Sequence, residues 1–459
     1  MQRSPSQKPG ASKQQRAAAE QFELGNARSE RGDLAGAAEA YRKAVKLQRD
    51  HVPALSNLGS VLRRLGELEE AARCHRAALR FDSKQPGIHY NLAIVLAELG
   101  RREQAEEAYR RCLQLAPDMA QAHGNLGLLL REQKRLPEAV GSLRRAVELE
   151  PRNLVRRRNL QETLGRLVPA WHLPMLNDAA RNEAYDTAIR KAVRPGIQVL
   201  DIGTGSGLLA MMAARAGAAK VTSCEMVDVV AEQARHIVAL NGFADRITVL
   251  SKASTDLKVG RDLETPADLL VSEILSNELI GEGVVPALRH AHAELLAPGA
   301  ASLPCGGEVR AMLAGGDGLA RQLNVETACG FDVSPFNGLR RATLSLRVSP
   351  EEFEGLSEDL TVFSLEAPFH YDPPEHFSIE FEVVRAGRCY GVLQWIRILL
   401  DETISITNDP RVERAGSVSH WNQLVYPFER PLDLAPGQRV RVSVASTGSA
   451  LAFGLPEVL

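Results

Sequence analysis

Val199-Leu-Asp-Ile-Gly-Thr-Gly-Ser-Gly-Leu-Leu-Ala210 decides the fold of the second half of the chain. A short apolar run ends in three glycines at alternate positions, Gly203, Gly205 and Gly207, and an apolar helical stretch, 208–216, opens directly after them. This is a strand running through a tight turn into a helix. Glycine permits the sharp backbone path and lets a ligand come close to the main chain. Asp201 precedes the first glycine, and Glu225 ends the next apolar run, KVTSCE. A carboxylate at that place accepts both hydroxyls of a ribose, so a nucleoside-bearing cofactor is expected. Glycine spacing alone leaves a dinucleotide enzyme as a competitor.

Outward from this element the pattern repeats. MVDVVAEQARHIVALNG reads as a helix, ITVLS (247–251) as a third strand and DLLVSEIL (268–275) as a fourth, which predicts a parallel α/β sheet over 168–305. After 305 the runs change character: GEVRAMLAG, ATLSLRV, HFSIEFEVV, GVLQWIRILL and RVRVSVAST are separated by turn signals. A mostly antiparallel sheet or barrel over 306–459 follows from them.

The first half carries an internal period of 34. Small residues recur at Gly25, Gly59, Ala93 and Gly127, again at Ala37, Ala71, Ala105 and Ala139, and again at Ala44, Ala78, Cys112 and Ala146. Bulky residues keep the same register at Tyr41, His75, Tyr109 and Leu143. Small side chains are required where the two helices of a hairpin approach closely and where one hairpin stacks on the next. The period and the NLG/NLA tripeptides resemble tetratricopeptide (TPR) repeats: about four over 17–167, with NLVRRRNLQETLGRL as a capping helix. Such arrays offer a concave groove to a peptide or protein partner. Residues 1–16, polar and rich in Lys, Gln, Ser and Pro, read as a disordered tail.

Composition limits the function further. No apolar run reaches the roughly 20 residues that a membrane span needs, and the N-terminus has no signal-type apolar segment, so a cytoplasmic protein is expected. The six cysteines form no CxxC pair, which points away from a zinc site or a disulfide framework. The net charge of −2 divides into +10 over residues 1–170 and −12 over the rest. An acidic second half suits a basic substrate and repels phosphates, so nucleic acid is not expected as substrate.

Four motifs in the second half bear on chemistry. DxGxGxG followed by Glu225 resembles the class I S-adenosylmethionine-dependent methyltransferases, with their Rossmann-like sheet. SEILSNELIGEG (272–283) places Glu273 and Glu282 nine residues apart after the fourth strand. There the chain resembles the protein arginine methyltransferases, whose double-glutamate hairpin occupies this point of the fold. The chemistry accounts for the pair. A guanidinium stays protonated and is a poor nucleophile. Two carboxylates can grip it, aim one nitrogen and draw positive charge onto the others. SHWNQLVYPF (419–428) resembles that family's Thr-His-Trp loop, with Ser419 in place of threonine. The resemblance implies that His420 orients the site and that Trp421 walls the arginine pocket.

WHLPMLNDAARNEAYDTAI (171–189) matches the family's helix over the cofactor. By that resemblance Arg181 clamps the cofactor's methionyl carboxylate, His172 lies near it, Met175 lines the site, and Asp178 pairs with His420. LSKASTDL (250–257) is expected beneath the adenine, with Ser254 where many members carry a glutamate. The GEG and MLND–RN segments resemble the branch that carries TPR repeats before its catalytic domain, and residues 315–330 are the candidate dimerisation arm of a homodimer. The implied activity is methyl transfer from S-adenosylmethionine to arginine in a protein substrate, without a metal. An inactive S-adenosylmethionine-binding TPR interaction protein and a methyltransferase for a non-arginine substrate are the alternatives. The number of methyl groups delivered is not legible from these residues.

Overall fold

The computed structural model describes residues 12–281, 283–369, 374–412 and 419–459. The chain forms two compact units, one ending at Pro169 and the other beginning at Ala170.

The first unit is a stack of helical hairpins: α1 (Lys13–Glu30) with α2 (Leu34–Leu47), α3 (Val52–Arg64) with α4 (Leu68–Phe81), α5 (Pro86–Glu98) with α6 (Arg102–Leu115), and α7 (Ala120–Glu132) with α8 (Leu136–Leu149). The capping helix α9 (Leu154–Leu167) closes the series. The 34-residue register has a steric cause. A Cβ added to Gly25 would come within 2.5 Å of the Tyr41 ring, one on Gly59 within 2.7 Å of His75, and one on Gly127 within 2.6 Å of Leu143. Each glycine is thus the notch for the bulky residue of its own hairpin. One expectation is corrected here. Ser12 caps α1 through a reciprocal capping box with Gln15, so the helix starts at Lys13 and takes in residues assigned to the tail. Residues 1–11 lie outside the described residues.

The second unit opens with α10 (His172–Leu176) and α11 (Ala179–Ala192). An α/β region follows: β1 (Gln198–Ile202), α12 (Leu208–Ala216), β2 (Lys220–Glu225), α13 (Asp228–Leu240), β3 (Ile247–Ser251), β4 (Ala267–Ser272), α14 (Val284–His290) and β5 (Leu296–Leu303). The five strands are parallel in the order β3-β2-β1-β4-β5. The order reverses direction between β1 and β4, and the loops after β1, β2, β3 and β4 all leave the sheet at its carboxyl edge.

The rest of the unit is β-rich: β6 (Gly306–Gly315), α15 (Asp317–Leu323), β7 (Thr327–Ala328), β8 (Phe331–Asp332), β9 (Leu344–Leu346), β10 (Glu354–Gly355), β11 (Leu360–Glu366), β12 (His376–Glu382), β13 (Gly387–Leu399), β14 (Ser405–Thr407), β15 (Gln423–Leu434), β16 (Arg439–Ser446) and β17 (Leu451–Val458). Seven of these strands make one antiparallel sheet around β6, β13 and β15, and β12, β16 and β17 make a second. The inner faces share a core that includes Leu313, Val392, Tyr426, Phe381 and Val442. The candidate arm, 315–330, takes an unexpected form. Its helix α15 does not project but packs on the sheet through buried Leu319 and Leu323. Exposure is concentrated farther on, at Phe331, Phe336 and Leu339. Among the described residues no helix is long and apolar enough to cross a membrane.

Candidate active site

The glycine turn after β1 is shaped by backbone need. Gly203, Gly205 and Gly207 all adopt left-handed φ angles, +84°, +52° and +82°. A Cβ on Gly203 would collide with Ile274 at 2.3 Å, so this glycine lets the turn lie against the loop after β4. A Cβ on Gly205 would meet nothing nearer than 4.0 Å, where it would touch Met175 and the Gly203 carbonyl. Space therefore remains over the middle of the turn, with Met175 at its margin.

Glu225, at the end of β2, is held by two main-chain donors. Gly205 N reaches its Oε2 at 3.2 Å and Val227 N its Oε1 at 2.9 Å. Asp201 is buried, and its Oδ2 accepts from Ser223 Oγ at 2.5 Å. Ser223 in turn lies 2.5 Å from Thr204 Oγ1 in the glycine turn. Burial raises the Asp201 carboxyl to about 6, an effect the Ser223 hydroxyl opposes. Its Oδ1 has no hydrogen-bond partner among the described residues. Ser254 is buried in the single turn after β3, at the same edge of the sheet.

Glu273 follows β4 directly and is buried. Arg181 Nη2 donates to its Oε2 at 2.8 Å, and both side chains are almost wholly enclosed. Arg181 is fixed from three sides. Asp178 caps α11 by accepting from Arg181 N at 3.0 Å, Asn182 Oδ1 accepts from Arg181 Nη1 at 2.8 Å, and the guanidinium lies 4.9 Å from the Tyr185 ring centroid. Arg181 Nε makes no hydrogen bond among the described residues. Tyr185 Oη donates to Ser272 O at 3.0 Å, which ties α11 to the strand that ends in Glu273.

The Ser-His-Trp loop closes the other side. His420 Nδ1 lies 3.3 Å from Asp178 Oδ2, and the same oxygen accepts from His420 N at 3.3 Å. His420 Nε2 stands 3.9 Å from Glu273 Oε1. Trp421 is buried, and its Nε1 donates to Leu275 O at 2.9 Å. His172 stacks on Trp171 with ring centroids 4.1 Å apart.

The structure therefore brings Arg181, Asp178, Glu273, His420 and Trp421 into one constellation, with the glycine turn and Glu225 along the adjoining sheet edge. Glu282 lies outside the described residues, so one arm of the expected carboxylate pair has no geometry here. Tyr185, Asn182, Ser223 and Thr204 were absent from the sequence reading. Tyr185 had a usable signal, since it stands four residues after Arg181 on the same helix face.

The open turn over Gly205, a carboxylate held by main-chain amides and a buried, incompletely paired guanidinium fit a ligand with a ribose at one end and a carboxylate at the other. Comparisons with known proteins give the families that the chain resembles. Residues 184–295 match the ribosomal protein L11 methyltransferase (PrmA) family, and TPR families match residues 21–51, 50–117 and 90–153. The chain is 39% identical over 276 residues to an arginine N(omega)-methyltransferase of Streptomyces achromogenes subsp. streptozoticus, across 60% of this chain and 75% of that one. It is 34% identical over 289 residues to protein arginine N-methyltransferase 7 of Oryza sativa subsp. indica, across 56% of this chain and 40% of the relative. It thus spans most of the bacterial relative and two-fifths of the plant one. The fold also matches a Trypanosoma brucei PRMT1 enzyme-prozyme heterotetrameric complex with AdoHcy, at TM-score 0.53 and 22% identity, over 61% of this chain and 89% of that chain.

Proposed function

The chain belongs to the arginine methyltransferase family, with TPR repeats ahead of its methyltransferase domain, and on that premise we propose that it methylates a guanidinium nitrogen of arginine in a protein substrate. The observation that carries the proposal is Glu273. It is a buried carboxylate that already binds one guanidinium, that of Arg181, and that stands 3.9 Å from His420 Nε2.

S-adenosylmethionine supplies an electrophilic methyl group on its sulfonium. Glu225 would hold its ribose hydroxyls, with the Gly203–Gly207 turn accommodating the close approach and Asp201 beneath that turn. Arg181 would take its carboxylate, His172 and Met175 would border its methionyl part, and Ser254 would lie toward its base. Glu273, together with Glu282, would grip the substrate guanidinium by charge-assisted hydrogen bonds and leave electron density on the attacking nitrogen. Asp178 fixes the His420 ring, and His420 faces Glu273. Trp421 offers a flat wall beside the cation. Orientation and electrostatics provide the rate enhancement, so no metal is called for.

The TPR groove would recruit the substrate or a second protein, in the cytoplasm, where the free thiols of all six cysteines would remain reduced. A homodimer through the exposed Phe331–Leu339 face belongs to the same proposal.

The Streptomyces relative, whose name specifies arginine and not protein arginine, favours a second reading with free arginine as acceptor. One experiment separates the readings. Purified protein is given labelled S-adenosylmethionine with either a pool of arginine-rich peptides or free arginine, and products are identified by mass spectrometry. Label on peptidyl arginine is expected, with Glu273→Gln reducing the rate about 100-fold or more. Label on lysine, or none on arginine in either form, would reject the proposal.

A further inference from the structure

The loop after β4 is fastened to the β-rich region through a residue for which the mechanism above has no use. Asn277 stands four positions beyond Glu273. Its Oδ1 accepts from Asn422 N at 3.0 Å, and its main-chain carbonyl accepts from Gln394 Nε2 at 3.3 Å. Its side-chain nitrogen reaches Ser345 Oγ at 3.5 Å, the hydroxyl that Asn422 Nδ2 also reaches, at 3.1 Å. Gln394 is wholly buried on β13, and its Oε1 accepts from Tyr426 Oη on β15 at 3.2 Å. Three neighbouring strands, β9, β13 and β15, therefore supply polar groups that converge directly or through Gln394 on Asn277.

The loop is held on either side of this point as well. Trp421 Nε1 takes the Leu275 carbonyl. Leu279 is buried with φ at +67° against Gly307 of β6, where an added Cβ would stand 2.9 Å from its Cδ1. A leucine in the left-handed region is strained and persists where its surroundings fix it more firmly than it resists.

We propose that Asn277 is a positioning residue that locks the Glu273 loop to the Ser-His-Trp loop, so that the gripping carboxylate and the His420–Trp421 wall keep one separation. Gln394 and Tyr426 form its buried backing. A neutral amide suits this place. It offers a donor and an acceptor in one fixed plane, and the acceptor is the part that holds Asn422 N. Removing its side chain leaves the part-buried Asn422 N without its acceptor, while the main-chain bond to Gln394 Nε2 remains. The fastening stands on geometry alone, whereas its catalytic consequence rests on the methyl-transfer reading.

The test uses the full chain, with hydrogen exchange and kinetics measured on the same samples. In Asn277→Ala, amide exchange is expected to rise on the order of tenfold in both 274–281 and 419–423, with β1 unchanged. The kcat on an arginine peptide is expected to fall about tenfold or more, while S-adenosylhomocysteine binds within about twofold of wild type. Asn277→Asp, which keeps the acceptor for Asn422 N, is expected to recover most of both effects. Faster exchange confined to 274–281, Asn277→Asp matching Asn277→Ala, or an unchanged kcat would overturn the proposal. Should Asn277→Ala not fold, Gln394→Met serves as the test variant with the same expected and opposing outcomes. Wild type that labels no arginine would defeat the functional reading, and the exchange data would still decide whether the two loops are locked together.

Discussion

The two units differ in whether they bury charge. In the repeat unit the ion pairs are outside and periodic. Arg42 meets Glu70 and Arg110 meets Glu138, 68 residues on in both members, with the polar pair Arg76–Gln104 midway between them. These bonds join neighbouring hairpins across solvent, while the interior is filled by alanine, leucine and notched glycine. A polar exception is His75, fully buried with neither ring nitrogen hydrogen-bonded among the described residues. The second unit has surface pairs too, such as Arg441–Glu380, but it also encloses charges: Asp178, Arg181, Asp201 and Glu273 are all buried. A repeat array needs only area and shape. A site that must hold a cation has to keep ionised groups away from water, where burial is costly unless each is paired.

All three tryptophans, Trp171, Trp395 and Trp421, lie in the second unit, so tryptophan fluorescence reports its unfolding, while far-UV circular dichroism is weighted toward the repeats. The sharpest contrast is charge removal. Arg181→Met strands the Glu273 carboxylate in the interior and is expected to lower the stability seen by fluorescence by about 3–5 kcal/mol. A loss below about 1 kcal/mol would break the comparison.

Acid is the next probe. Burial, aided by Arg63, lowers the His75 imidazole to about 4 from its ordinary 6.5. The unfolded chain then binds a proton that the folded repeats refuse, so the repeat unit should lose stability as pH falls from 6.5 to 4, by on the order of 3 kcal/mol. His75→Leu, which copies Leu143 of the last hairpin, should flatten that slope in circular dichroism. Asp201 runs the other way. With its carboxyl raised to about 6 from 3.8, the folded state keeps a proton that the unfolded state has released. Fluorescence-detected stability should therefore fall as pH rises from 3.8 to 6, by roughly 2–3 kcal/mol, and Asp201→Asn should remove the trend. The smallest effect is expected at Arg42→Ala. It breaks an exposed pair and should cost under about 1 kcal/mol by circular dichroism, less still in high salt.

How much of this was legible in the chain follows from range. The hairpins and α12 were readable because notch, knob and turn recur within a few dozen residues. Glu225 and the glycine turn were readable because a strand and its loop form one local unit. Arg181 was read as a clamp for a cofactor, yet its partner here is Glu273, 92 residues on. The Asn277–Asn422 bond spans 145 residues, and Asp178–His420 spans 242. No periodicity records such pairings, since they are set only when sheets pack on one another. The packing of α15 was hidden for a related reason. Leu319 and Leu323 mark an apolar helix face, but nothing local says that β6 and β13 will cover it.

Synthesis of the chain gives the Asn277–Asn422 bond a temporal meaning. A growing polypeptide owns every contact of its helical stack once residue 169 has emerged, and those hairpins can settle early. The acidic loop is made later, and the backbone amide that pins it follows only after a further 145 residues. For that interval a nascent chain can hold a folded helical stack while the Glu273 loop still lacks its fastening.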